Sequence, residues 1–138
     1  MGNSMKLAYV AGPYRGKSRV KLINRLQIIG NIIEARKVAR ALWRMGYAVI
    51  CPHSNTALFD GVAPDKAFLD GDIIILKRCD LIVMIPGWTN SSGAKDEFRI
   101  ANANHIPAYT WDGKGLVLKT DGTSEYEEYL NGILDPRE

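Results

Sequence analysis

The feature that most constrains this chain is a run of five apolar residues, Leu81-Ile82-Val83-Met84-Ile85, with Asp80 before it and Pro86-Gly87 after it. The run is short and partly β-branched, with no alternating polar positions. That pattern belongs to a strand buried on both faces of a parallel sheet. Gly87 to Ser92 is loop chemistry, and Ser91 or Ser92 is a good N-cap for a helix reaching about Asn104. In an open α/β sheet, ligands bind just outside the carboxyl ends of the strands. Backbone N–H groups and the helix dipole at such a point favour an anion, phosphate above all.

Helical phase on that segment isolates one residue. At about 100° per residue, Glu97 shares a face with Gly93, Ala94, Ile100 and Ala101, while Lys95, Arg99 and Asn102 fall on the opposite side. A carboxylate on the small, apolar face is either a buried structural acid or a group aimed into a pocket that Gly93 and Ala94 keep open. The Pro64–Lys77 segment repeats the situation. Phe68, Leu69, Ile75 and Leu76 define its apolar arc, and Asp72 falls inside that arc. Asp70 falls with Lys66 and Lys77 toward solvent, and Asp65 is placed to cap the helix start. Two inward acids flanking one central strand suit a split of roles, one ionised and one protonated.

The remaining chain supplies the frame. Lys6–Ala11 reads as a first strand, and Gly12-Pro13-Tyr14-Arg15-Gly16-Lys17-Ser18 as a glycine-bracketed loop at its end. The glycine spacing fits neither a P-loop nor a dinucleotide fingerprint. A helix follows and ends at Met45 with Gly46 as its cap; its start lies near Leu22 or, through an Asn31/Glu34 capping box, nearer Asn31. Its apolar stripe is Ile28, Ile32, Ala35, Ala39 and Leu42, with Ile29, Ile33 and Trp43 beside it. Tyr47–Cys51 is a second strand, leading to Pro52 and His53. Pro107–Trp111 is a fourth, Leu116–Lys119 an edge strand, and Glu125–Leu130 a short helix. The βαβαβαβ order predicts a three-layer α/β sandwich around a parallel sheet of four to five strands.

With 138 residues, 46% of them hydrophobic and 24% charged, the chain suits one globular domain, spanning 1–138, with residues 1–5 and 112–138 the least defined by pattern. No apolar run is long enough to span a bilayer and no leader pattern opens the sequence. Cys51 and Cys79 form no disulfide framework, so a cytoplasmic setting is expected. A formal net charge of +3 without a basic, aromatic-interleaved run does not demand a nucleic-acid polymer. Tyr9, inside the first strand, needs a partner for its hydroxyl if buried, and Glu97 is a candidate. Trp88 and Trp111 could stack on a base or seal the core, and a lone His53 shows no zinc spacing.

Three stretches together, Tyr9 to Gly16, Asp72, and Ser91 to Glu97, resemble the nucleoside 2-deoxyribosyltransferase superfamily, over roughly Lys6 to Tyr109. More narrowly they are similar to its small phage- and bacterial-type members and to the deoxynucleoside 5′-monophosphate N-hydrolases. The resemblance implies a flavodoxin-like fold. It implies Glu97 as the nucleophile, Tyr9 as the residue orienting it, and Asp72 as the acid near the sugar and departing base. Gly12, Arg15 and Gly16 would close over a nucleotide or nucleoside, and Ser91, Ser92 and Gly93 would hold its 5′ end, with His53 nearby. Ser91 stands where transferases acting on free nucleosides carry an acid, which favours a 5′-monophosphate because a neutral donor does not repel a dianion. Transfer of deoxyribose to a second base, or nucleotide sensing without turnover, are the alternatives. The resemblance also implies a homodimer or higher homo-oligomer, and the carboxylates require neither metal nor organic cofactor.

Overall fold

A computed structural model describes residues 4–52, 59 and 61–120. In chain order its elements are β1 (Leu7–Ala11), α1 (Lys21–Arg44), β2 (Ala48–Ile50), α2 (Asp65–Lys77) and β3 (Leu81–Met84). A 3₁₀ turn (Trp88–Asn90) then leads to α3 (Ser92–Ala103), β4 (Ala108–Trp111) and β5 (Leu116–Thr120). The sheet order is β2-β1-β3-β4-β5. The first four strands are mutually parallel, and β5 runs antiparallel to β4. The expected flavodoxin-like α/β sandwich is therefore present, with an antiparallel edge that the apolar pattern did not specify. The helix expected at Glu125–Leu130 lies outside the described residues.

The central strands are apolar throughout because both of their faces are covered. Tyr9 and Ala11 of β1, with Ile82 and Met84 of β3, point toward a core completed by Leu76 of α2 and by Ala94, Phe98 and Ala101 of α3. Ala8 and Val10, with Leu81, Val83 and Ile85, point the other way, onto Ala35, Val38 and Leu42 of α1. Alternation along each strand thus assigns α1 to one layer and α2 with α3 to the other.

Helix α1 is continuous from Lys21, and the Asn31/Glu34 capping box is not used. Asn31 lies inside the helix, and its Nδ2 donates to the Tyr14 carbonyl at 3.1 Å. The C-terminal end is as the sequence suggests: Met45 caps, and Gly46 takes φ +97°, where a side chain would be strained. Ile29, Ile33 and Trp43, expected beside the buried stripe, are about half exposed, as is Leu69 on α2. The helical phase holds, but the arc that one sheet surface covers is narrower than the apolar arc on these helices.

Candidate active site

Tyr9 sits in the middle of β1, between Ile50 of β2 and Ile82 of β3, and is fully buried. Its side chain enters the α2–α3 layer, where Asp72 of α2 and Glu97 of α3 are its electrostatic neighbours. Both acids are partly buried, as the helical phase requires. Loss of water is the main cause of every shift in the cluster. Burial pushes the Glu97 carboxyl up to about 7; the Tyr9 hydroxyl pulls against this, and the charges of Asp72 and Asp96 add to the rise. Burial alone lifts Asp72 to about 6. The Tyr9 phenol is held well above its ordinary value, by burial first and then by the Glu97 charge.

The Tyr9 hydroxyl has no solvent access and, among the described residues, no hydrogen-bond partner of proper geometry. It nonetheless pulls the Glu97 carboxyl down, as the dipole of a nearby hydroxyl does. The contact is proximity rather than a formed bond. Cys79, which sequence patterns did not single out, also borders the Tyr9 hydroxyl. Its thiol donates to the Ile75 carbonyl at 3.3 Å, and burial raises it to about 11, so it is not a thiolate nucleophile at neutral pH.

The loops beyond β1 and β3 meet at the carboxyl ends of those strands. Gly12 packs so closely on Ile85 that a Cβ there would lie 2.1 Å from Ile85 Cγ1. Gly87 turns with φ +90° and faces the Pro13 ring. Ser91 caps α3 by accepting the Ala94 N–H at 3.2 Å, which leaves its hydroxyl proton available. The first-turn N–H groups of Ser92 and Gly93 have no carbonyl one turn earlier to bond. The position of a Cβ on Gly93 has nothing within 4 Å, so this helix start is open. Donors at an accessible helix N-terminus are the arrangement that favours an anion.

The β1 loop is latched from two sides that the sequence did not reveal. The Lys17 and Ser18 N–H groups donate to Gln27 Oε1 at 2.8 and 3.2 Å, holding the loop on α1. Gly16 abuts Asn24, whose Oδ1 would lie 2.2 Å from an added Cβ. Arg15 pairs with Asp65 at 3.1 Å, both well exposed, so Asp65 ties the loop to the start of α2 instead of capping it. Asn102, assigned to the solvated side of α3, has a buried Oδ1 without a partner among the described residues. Trp88 is buried against Phe98, ring centroids 4.7 Å apart, and so seals the core beneath the loop. Trp111 is partly buried on the α1 side of the sheet, away from the acids. His53 lies outside the described residues. Among the described residues there is no group of three potential metal ligands, and no helix is long and apolar enough to cross a membrane.

Tyr9, Asp72 and Glu97, dispersed in sequence, are therefore one cluster, with Glu97 little more than a turn beyond the α3 N-terminus. Among solved structures the chain is similar to a 2-deoxyribosyltransferase from the psychrotolerant bacterium Bacillus psychrosaccharolyticus. The two are 17% identical, the TM-score is 0.54, and the match covers 82% of this chain and 77% of that one. At that identity the likeness speaks for the fold. No curated protein matches the sequence. Residues 6–109, which span β1 through the second residue of β4 and hold the whole cluster, match the family described as a domain of unknown function (DUF4406), and the chain belongs to that family.

Proposed function

We propose that the chain is an N-glycosidase that cleaves the base–sugar bond of deoxynucleoside 5′-monophosphates through a covalent ester on Glu97. The observation that carries this reading is the juxtaposition of Tyr9, Asp72 and Glu97 on one layer of the sheet, beside an open helix N-terminus. The ionised Glu97 carboxylate attacks C1′ of the sugar. The C1′–N bond breaks and its electron pair leaves with the base. The base takes its proton from Asp72 in the microstate that has Glu97 ionised and Asp72 protonated. That microstate is the minor one, because burial raises Glu97 (about 7) above Asp72 (about 6). Water then attacks C1′ from the vacated face, Asp72 accepts its proton, and Glu97 departs as a carboxylate. Two displacements at one carbon give net retention. Tyr9 steadies the Glu97 charge, consistent with its lowering of that pKa. The Ser91 hydroxyl and the Ser92 and Gly93 N–H groups take the phosphate, with Gly12, Arg15 and Gly16 closing the first loop over it.

The test is base release from a panel of deoxynucleoside monophosphates, ribonucleotides and free deoxynucleosides, with Glu97→Ala alongside and a second base added in parallel. Free base from a deoxynucleoside monophosphate, absent in the variant, is the expected result. A new nucleoside built on the added base would make the chain a transferase instead. Binding without release across the panel would leave only a nucleotide sensor.

A further inference from the structure

A second concave surface lies on the α1 layer, opposite the Tyr9–Asp72–Glu97 cluster. Between α1 and the edge strand β2 runs a shallow groove of about 310 Å³, with Arg36, Arg40 and Trp43 on its helix side and Val49, Ile50 and Cys51 on its strand side. Helical spacing builds the first wall. The three α1 residues stand at i, i+4 and i+7, on one flank of the helix, and the small Ala39 among them leaves the space open. Trp43 is 54% exposed beside the buried Leu42, so the core covers only part of its ring. Arg36 and Arg40 are exposed and form no ion pair among the described residues, whereas the neighbouring Lys37 is neutralised by Glu34 at 3.2 Å.

Charge, shape and size select the ligand. No acid lines the groove, so two guanidiniums one turn apart repel each other, and an anion bridging them removes the repulsion. Their two positive charges match one phosphate-monoester dianion, and the planar guanidinium fork binds such oxygens in pairs. Trp43, one turn beyond Arg40, offers a flat face on which a planar ring stacks. A volume of about 310 Å³ is at the lower end for small-ligand sites, which suits one ring and one phosphate. Toward the start of α1 the flank continues with Ile33 and Ile29, about half exposed, which give a second phosphate nothing to bind. The charge therefore ends after one turn, where a nucleic-acid strand needs a continuous basic track.

We propose that this groove is a second, non-catalytic binding site for a nucleoside monophosphate, with the phosphate on Arg36 and Arg40 and the base stacked on Trp43. The site does not depend on the reaction assigned to Glu97, and its test reads binding at Trp43 rather than turnover. Adenosine 5′-monophosphate, adenosine and inorganic phosphate are titrated separately into the full chain while the indole N–H resonances are followed by NMR. The Trp43 resonance is identified by its loss in Trp43→Phe. The expected result is a saturable shift of that resonance by the monophosphate, with a dissociation constant raised about tenfold or more in Arg36→Gln/Arg40→Gln, because hydrogen bonds to two charged groups are lost. Glu97→Ala leaves the Trp43 titration unchanged, so a failure of the glycosidase reading and a failure of this site are seen separately. Unshifted Trp88 and Trp111 resonances in the ligand-free arginine variant show that it is folded. A Trp43 resonance that the monophosphate does not move, or moves equally in the arginine variant, would overturn the proposal. So would a shift lost in Glu97→Ala, or adenosine or inorganic phosphate binding as tightly as the monophosphate.

Discussion

Replacing Glu97 by glutamine should abolish turnover and stabilise the fold, and the second effect has a pH signature. The carboxyl is raised from 4.5 to about 7, chiefly by burial. In the unfolded chain it ionises near its ordinary value, so between the two values folding holds a proton that unfolding releases. Stability conferred by that proton is complete below about pH 4.5, falls as the pH rises, and is gone above about 7. At 1.36 kcal/mol per unit, the shift amounts to about 3 kcal/mol, an upper bound because Glu97 retains partial exposure. The amide of the Glu97→Gln variant is never charged and escapes the loss. At pH 8 the variant should melt up to about 10 °C higher than wild type, and near pH 4 the two should nearly coincide. Base release should meanwhile drop by about 10⁴-fold or more. Denaturant titrations at pH 4, 6 and 8, with the release assay, measure both. A stability difference independent of pH, or a variant less stable at pH 8, would refute the burial argument. Retained turnover would refute the nucleophile.

Asp72→Asn should remove one limb of the pH–rate profile, since the rise and fall near 6 to 7 belong to the two coupled carboxyls together; an unchanged profile would exclude Asp72 as the proton donor. Tyr9→Phe deletes a buried hydroxyl without a formed hydrogen bond, so stability should change by less than about 1 kcal/mol while the Glu97 limb moves to higher pH. Ser91→Asp should still cap α3, leaving the melting temperature within a few degrees by the order of cap energies, yet discriminate against monophosphates by about tenfold or more relative to nucleosides. Gly12→Ala should cost about 1–3 kcal/mol because its Cβ meets Ile85 Cγ1, and trimming Ile85 to Ala in the same chain should recover the loop position, read by substrate affinity.

Local pattern made the layers and most of the cluster legible. The Leu81–Met84 strand is apolar at every residue because both faces are buried, a property written directly in the run. Phase alone turned Glu97 and Asp72 inward, because 100° per residue is a fixed geometry that packing does not renegotiate. The Ser91 cap followed from a hydroxyl acceptor standing just before the helical run. What phase could not convey is how wide an arc the neighbouring layer covers. Leu69 and Ile33 satisfy the same periodicity as buried residues and are nonetheless exposed.

Sequence by itself determined the order of strands and helices through β4, with the start of α1 left open, and which side Glu97 and Asp72 take, since those depend on bonds and neighbours within a few positions. Only the tertiary structure decided that Tyr9, Asp72 and Glu97 perturb one another, that Asp65 latches Arg15, and that Gln27 holds the Lys17–Ser18 backbone. It also reversed β5 against β4, and left Ile29, Ile33 and Trp43 of α1 about half exposed. Each of those is a contact between residues far apart in the chain, or the lack of one. Such distances are fixed by how the layers close on one another, which no local periodicity encodes.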